Sequence, residues 1–154
     1  MREAGTTLIL LLDTDLFFVV KVRTTLQHAG YNVQTARSVA DFTRRLAAES
    51  PALALINTAI AGVDWRAAIV AAREAHIPVI AFGSHVDLDT QQQARQAGAT
   101  RVIANSKLAA DLPGIVARAL HATSHTPGPS AENTVSAGDD APQQEASPPD
   151  AEGP

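Results

Sequence analysis

Five short apolar runs punctuate the chain, beginning near Thr7, Asn32, Leu53, Pro78 and Arg101. Their starts lie 25, 21, 25 and 23 residues apart, and the stretches between them carry apolar residues at helical spacing. Strands alternating with helices at that period predict repeated βα units. Residues 8–12, 53–56 and 79–82 are continuously apolar, which suits central parallel strands covered on both faces. The second and fifth runs are more mixed, as edge strands tend to be. Right-handed crossovers between such strands make an open, doubly wound α/β sheet with helices on both faces.

The punctuation agrees. Gly30 and Gly98 follow the first and fourth helices at positions suited to a left-handed C-terminal residue. Ser38, with Asp41 three residues on, reads as the start of the second helix. Pro78 stands at a strand entrance, where a missing N–H costs little. Pro113 fits only the first turn of a helix, so the last helix is expected to begin near Asp111 after an irregular lead-in.

The first helix is unusually apolar. At about 100° per residue, Phe18, Val22, Thr25, Leu26 and Ala29 share a face expected to meet the sheet, with Val19 half covered at its margin. Leu16 and Val20 point nearly opposite, flanked by Phe17. Such a display has little purpose unless something covers it, although scattered exposed apolar side chains are also ordinary. The fourth helix, by contrast, is almost entirely polar and reads as a solvated one that offers little for dimerisation.

Composition narrows the class. The 154 residues, 45% hydrophobic, suit one folded domain with an appendage. A domain of that size buries roughly 65% of its unfolded surface, enough for a core without staples. No cysteine is present, which excludes disulfides and thiolate chemistry. No run approaches the roughly 18 apolar residues of a membrane span, and no signal-peptide pattern opens the chain. A cytoplasmic protein without membrane insertion is expected. Residues 1–121 carry a net +2 and the remainder −6, so there is no basic field for nucleic acid. The boundaries expected are an N-terminal extension over 1–6, a domain over 7–121, and a tail over 122–154. That tail is rich in Pro, Ala and acids and too poor in apolar residues to order itself.

Ligands of open α/β sheets bind at the carboxyl ends of the central strands, which here means residues 13–15, 57–58, 83–85 and 105–107. His28, His76, His85, His121 and His125 show no metal-ligand spacing, and no phosphate-cradling glycine motif is present. Asp13 and Asp15 have a plain alternative role as caps of the first helix.

Considered together, Ile9-Leu-Leu-Leu-Asp13, Ala29-Gly-Tyr-Asn-Val33, Ala61-Gly-Val-Asp64, Ile77-Pro-Val-Ile80 and Ala97-Gly-Ala-Thr100 resemble the receiver domain of two-component response regulators. The resemblance runs from about Thr7 to Leu120. It implies the CheY-like, flavodoxin-like fold with strand order 2-1-3-4-5. It also implies an acidic pair that binds Mg²⁺ after the first strand, a phospho-accepting Asp after the third, a Thr or Ser after the fourth, and a Lys after the fifth. By position this chain has Asp13 but Thr14 for the pair, Asn57 at the acceptor, Gly83 followed by Ser84 at the hydroxyl, and Asn105 at the lysine, with Lys107 two residues on.

An acyl phosphate needs a carboxylate nucleophile, and an amide oxygen is a poor one. Asp13 aided by Asp15 would make a thin Mg²⁺ site. The expectation is therefore no metal, no cofactor and no catalysis. The domain should act instead by contact with a protein partner, whether a histidine kinase, another response regulator or a scaffold. Leu16, Phe17 and Val20 are the candidate surface, since receivers commonly dock partners beside the first helix. Trp65 reads equally as a pocket plug, a contact anchor or plain packing. Two other functions stay open: a phosphorelay regulator with non-standard site chemistry, and a flavodoxin-like domain that binds a small ligand at the strand ends.

Overall fold

The computed structural model describes residues 7–84 and 86–124. The expected extension over 1–6, His85 and the tail beyond 124 lie outside the described residues. The described residues up to Leu120 belong to one compact unit and those from His121 onward to a second.

Among the described residues, five strands and six helices follow one another as β1 (Thr7–Leu12), α1 (Leu16–His28), β2 (Tyr31–Ala36), α2 (Val39–Glu49), β3 (Leu53–Asn57), α3 (Trp65–Glu74), β4 (Val79–Gly83), α4 (Leu88–Ala97), β5 (Arg101–Ala104), α5 (Asn105–Ala110) and α6 (Leu112–Ser124). All pairings are parallel, and the sheet order is β2-β1-β3-β4-β5. The three continuously apolar runs are the inner strands and the two mixed ones the edges. Every residue of β3 and of β4 is buried, whereas β2 and β5 carry exposed and half-buried positions.

Alternation along the inner strands divides the core in two. Leu10, Leu12, Ala54, Ile56, Val79 and Ala81 join Phe42, Leu46, Ile69 and Ala94 from α2, α3 and α4. Ile9, Leu11, Leu53, Leu55, Ile80 and Phe82 join Val22, Leu26, Leu108, Ile115 and Val116 from α1, α5 and α6. Each face buries its own apolar set, which pins the register of the whole sheet.

Helix starts follow from capping side chains. Ser38 Oγ accepts the Asp41 N–H at 3.1 Å, Asp64 Oδ1 that of Ala67 at 3.1 Å, and Asp87 Oδ1 that of Thr90 at 2.8 Å. Each satisfies a donor that the helix itself leaves unpaired. Gly98 ends α4 at φ 121°, a backbone conformation that glycine adopts without the strain a side chain would bring.

Two expectations are corrected. The lead-in to the last helix is itself a helical stretch, α5, which buries Leu108 against the sheet. Pro113 accordingly lies in the first turn of α6, whose range reaches Ser124. On α1, Val19 is buried rather than marginal, Phe18 is half-buried, and Ala29 is an exposed cap. Periodicity sets the width of an apolar stripe. Its phase here follows the packing of Phe18 on Phe82, with ring centroids 5.3 Å apart.

Candidate functional site

Register brings the first and third strands level at their carboxyl ends. Leu12 pairs with Ile56, so the next residues, Asp13 and Asn57, stand side by side and extend the row that carries Ile9, Leu11, Leu53 and Leu55. Both are buried, Asp13 at 0% and Asn57 at 8% exposure. Buried polar side chains need partners, and these two supply each other: Asn57 Nδ2 donates to Asp13 Oδ1 at 2.9 Å. The same Oδ1 accepts the Asp15 N–H at 3.0 Å. Asn57 Oδ1 accepts the Ala59 N–H at 2.7 Å, folding the chain back just after β3 as an Asx turn does.

Asp13 Oδ2 is buried without a hydrogen-bond partner. Burial is the largest influence on this carboxyl and raises its pKa above the usual aspartate value. The backbone N–H of Asp15, the Asn57 amide and the Thr14 N–H act in the opposite direction, and the nearby Asp15 charge adds a small upward push.

The other expected residues are spread around this pair. Thr14 is exposed, and Asp15 Oδ1 caps α1 by accepting the N–H groups of Phe17 and Phe18 at 3.1 and 3.3 Å. Gly83 is buried at the end of β4, paired with Ala104, and Ser84 beyond it is exposed. Asn105 opens α5 with its Oδ1 buried and unpartnered, while Lys107 is exposed. The strand does not continue past Ala104, so Asn105 and Lys107 are related by helical rather than by alternating geometry. Trp65 opens α3 half-buried and packs with Val39 and Val63 against the core on the α2–α4 face.

Two contributors escape sequence reasoning. The Ala59 N–H and the Phe82 carbonyl, which accepts the Thr58 N–H at 2.7 Å and its hydroxyl at 3.2 Å, are backbone groups with no residue-type signature.

The donors do not fit the Mg²⁺ that the resemblance implies. Octahedral Mg²⁺ takes carboxylate oxygens and water. Asp13 Oδ1 already accepts two N–H groups, Asp15 Oδ1 is engaged in the cap, and the Asn57 nitrogen faces Asp13 as a donor. That leaves the enclosed Asp13 Oδ2 as the one unpartnered oxygen of the buried pair, too few for such a shell. Among the described residues, no group of three or more His, Asp or Glu side chains is placed to hold a metal ion.

Beside this pocket, α1 displays Leu16, Phe17 and Val20 at 61%, 91% and 59% exposure. No helix among the described residues is long and apolar enough to cross a membrane. A cavity of about 470 Å³ lies between α3 and α4, lined by Asp64, Arg66, Ala67, Val70, Gln93, Gln96 and Ala97, none of them a strand-end residue.

Comparison with solved structures recovers the same fold. A CheY-like receiver domain protein from Methanospirillum hungatei superposes with a TM-score of 0.71 at 19% identity, over 77% of this chain and 97% of that one. A two-component response regulator of the LuxR family from Aurantimonas sp. gives 0.67 at 20% identity, over 75% and 85%. The response regulator domain of Thermotoga maritima CheB gives 0.66 at 13% identity, over 76% and 98%. Comparison with curated proteins gives no match. The family described as the response regulator receiver domain matches residues 9–113, well over half of the chain. On this match, with the sheet order and strand-end pocket that accompany it, the chain belongs to the receiver domain family of two-component response regulators.

Proposed function

We propose that this receiver domain signals by protein contact without accepting a phosphoryl group. The reading rests on Asn57. It closes β3 beside Asp13, at the strand end where the family resemblance puts the accepting aspartate. A carboxamide oxygen is a weak nucleophile, and here that oxygen is already held by the Ala59 N–H. Asn105 brings no positive charge to the pocket and Gly83 no hydroxyl, so the partners of a phosphoryl group are missing together with its attachment point. The domain is on this reading not an enzyme, and it works wherever its partner does, in the cytoplasm.

Contact remains as the means of signalling. Leu16, Phe17 and Val20 form an exposed apolar face next to the pocket, and desolvating it would favour association. A protein of the two-component pathway, whether kinase, second regulator or scaffold, is the expected occupant.

The test is incubation of the full chain with acetyl phosphate and Mg²⁺, followed by intact-mass measurement. No gain of a phosphoryl group is expected. An acid-labile adduct mapped to the peptide containing Asn57 would overturn the proposal.

A further inference from the structure

The misfit between the pocket and a divalent cation has a positive side. Two strand ends that each carry a carboxylate would repel across this gap unless a cation lay between them. Here the gap is closed by a hydrogen bond from one side chain to the other, at 2.9 Å and out of solvent. The remaining Asn57 oxygen and Asp13 Oδ1 are both taken up by backbone N–H groups. A single uncompensated carboxylate stays in the pocket, and its outer oxygen is enclosed rather than open to water.

We propose that the Asn57 amide does the work of a cation in this chain, bridging β1 to β3 so that the pocket is assembled without metal and does not respond to Mg²⁺. The inference concerns the same pocket as the proposed function but rests on the hydrogen-bond geometry alone. Failure of one leaves the other standing. A domain that binds Mg²⁺ can still lack a phosphate acceptor, and a metal-indifferent pocket says nothing of the α1 face.

The geometry also predicts what reversing the substitution does. Asn57→Asp places two carboxylates at hydrogen-bond distance in a buried site, where ionising both is costly. That variant should be less stable than the wild type in chelator and should recover with Mg²⁺. Adding Asp13→Asn to it restores one amide and one carboxylate with their positions exchanged, which should again be metal-indifferent.

The experiment is thermal unfolding of the full chain in EDTA and in millimolar MgCl₂ at matched ionic strength. The wild-type midpoint should move by less than about 1 °C, and the Asn57→Asp midpoint should rise by about 5 °C or more on adding Mg²⁺. The exchanged double variant should show no response. A wild-type midpoint that climbs with Mg²⁺ as much as that of Asn57→Asp overturns the inference, and so does a well-folded Asn57→Asp that ignores the metal. Should Asn57→Asp fail to fold, Mn²⁺ titration of the wild type by NMR decides. Unbroadened amide signals of Thr14 and Thr58 support the inference, and selective broadening of them overturns it.

Discussion

Asp13 follows directly on β1, is fully buried, keeps one oxygen unpartnered and stands near the acid Asp15. Its raised pKa has a definite consequence for stability. A carboxyl that holds its proton more tightly folded than unfolded favours the folded state most at low pH, below the unfolded pKa. That advantage is lost as pH rises through the folded value. At neutral pH the chain carries the residual cost of a buried carboxylate. Asp13→Asn removes the titration and should gain stability relative to wild type as pH rises from about 4 towards 7. Urea unfolding across that range reads the difference between the two proteins. If the wild type instead gains on the variant with rising pH, the N–H groups of Asp15, Asn57 and Thr14 outweigh desolvation.

Within α1 two kinds of side chain do separate jobs. Val19, Val22 and Leu26 hold the helix to the sheet, and Asp15 starts it by binding two otherwise unpaired N–H groups. Leu16, Phe17 and Val20 do neither. Substitutions should divide accordingly. Asp15→Ala is expected to cost about 1 kcal/mol of unfolding free energy. Leu16→Glu and Val20→Glu should each stay within about 0.5 kcal/mol of wild type, because exposed positions without partners rarely contribute. Denaturant titration checks both, and a large loss on charging Leu16 or Val20 would mean that this face is covered within the chain. The polar α4 is held differently. It buries Ala94 and Ala97 while Leu88 is 78% exposed, so small residues let it lie close to the sheet without an apolar stripe.

At the scale of the molecule the sheet separates two cores, and the inner strands contribute alternate residues to each. Ile56 is fully buried one residue before the pocket and belongs to the α2–α4 side, while Asn57 extends the row on the α1 side. Ile56→Ala should therefore destabilise the domain by about 2–5 kcal/mol, seen as a lower urea midpoint with an unchanged slope. A markedly altered slope would point to a second, separately unfolding region.

Much of this arrangement was legible from order and spacing. The strands, their central or edge character, the caps at Ser38 and the glycines after α1 and α4 are local matters, encoded by residues a few positions apart. So was the carboxamide of Asn57 at the end of the third strand, because side-chain identity does not depend on fold. The phase of the α1 stripe, the helical nature of α5 and the 2.9 Å bond joining residues 44 positions apart were not legible. They depend on how separate elements meet. Periodicity repeats identically whichever way a helix is turned, and only packing against a neighbour selects one rotation. The sequence by itself determined which chemical groups exist and in what order they arrive at the strand ends. The tertiary structure alone decided that Asn57 turns its amide onto Asp13, because parallel register places the two level and burial leaves each the other's partner.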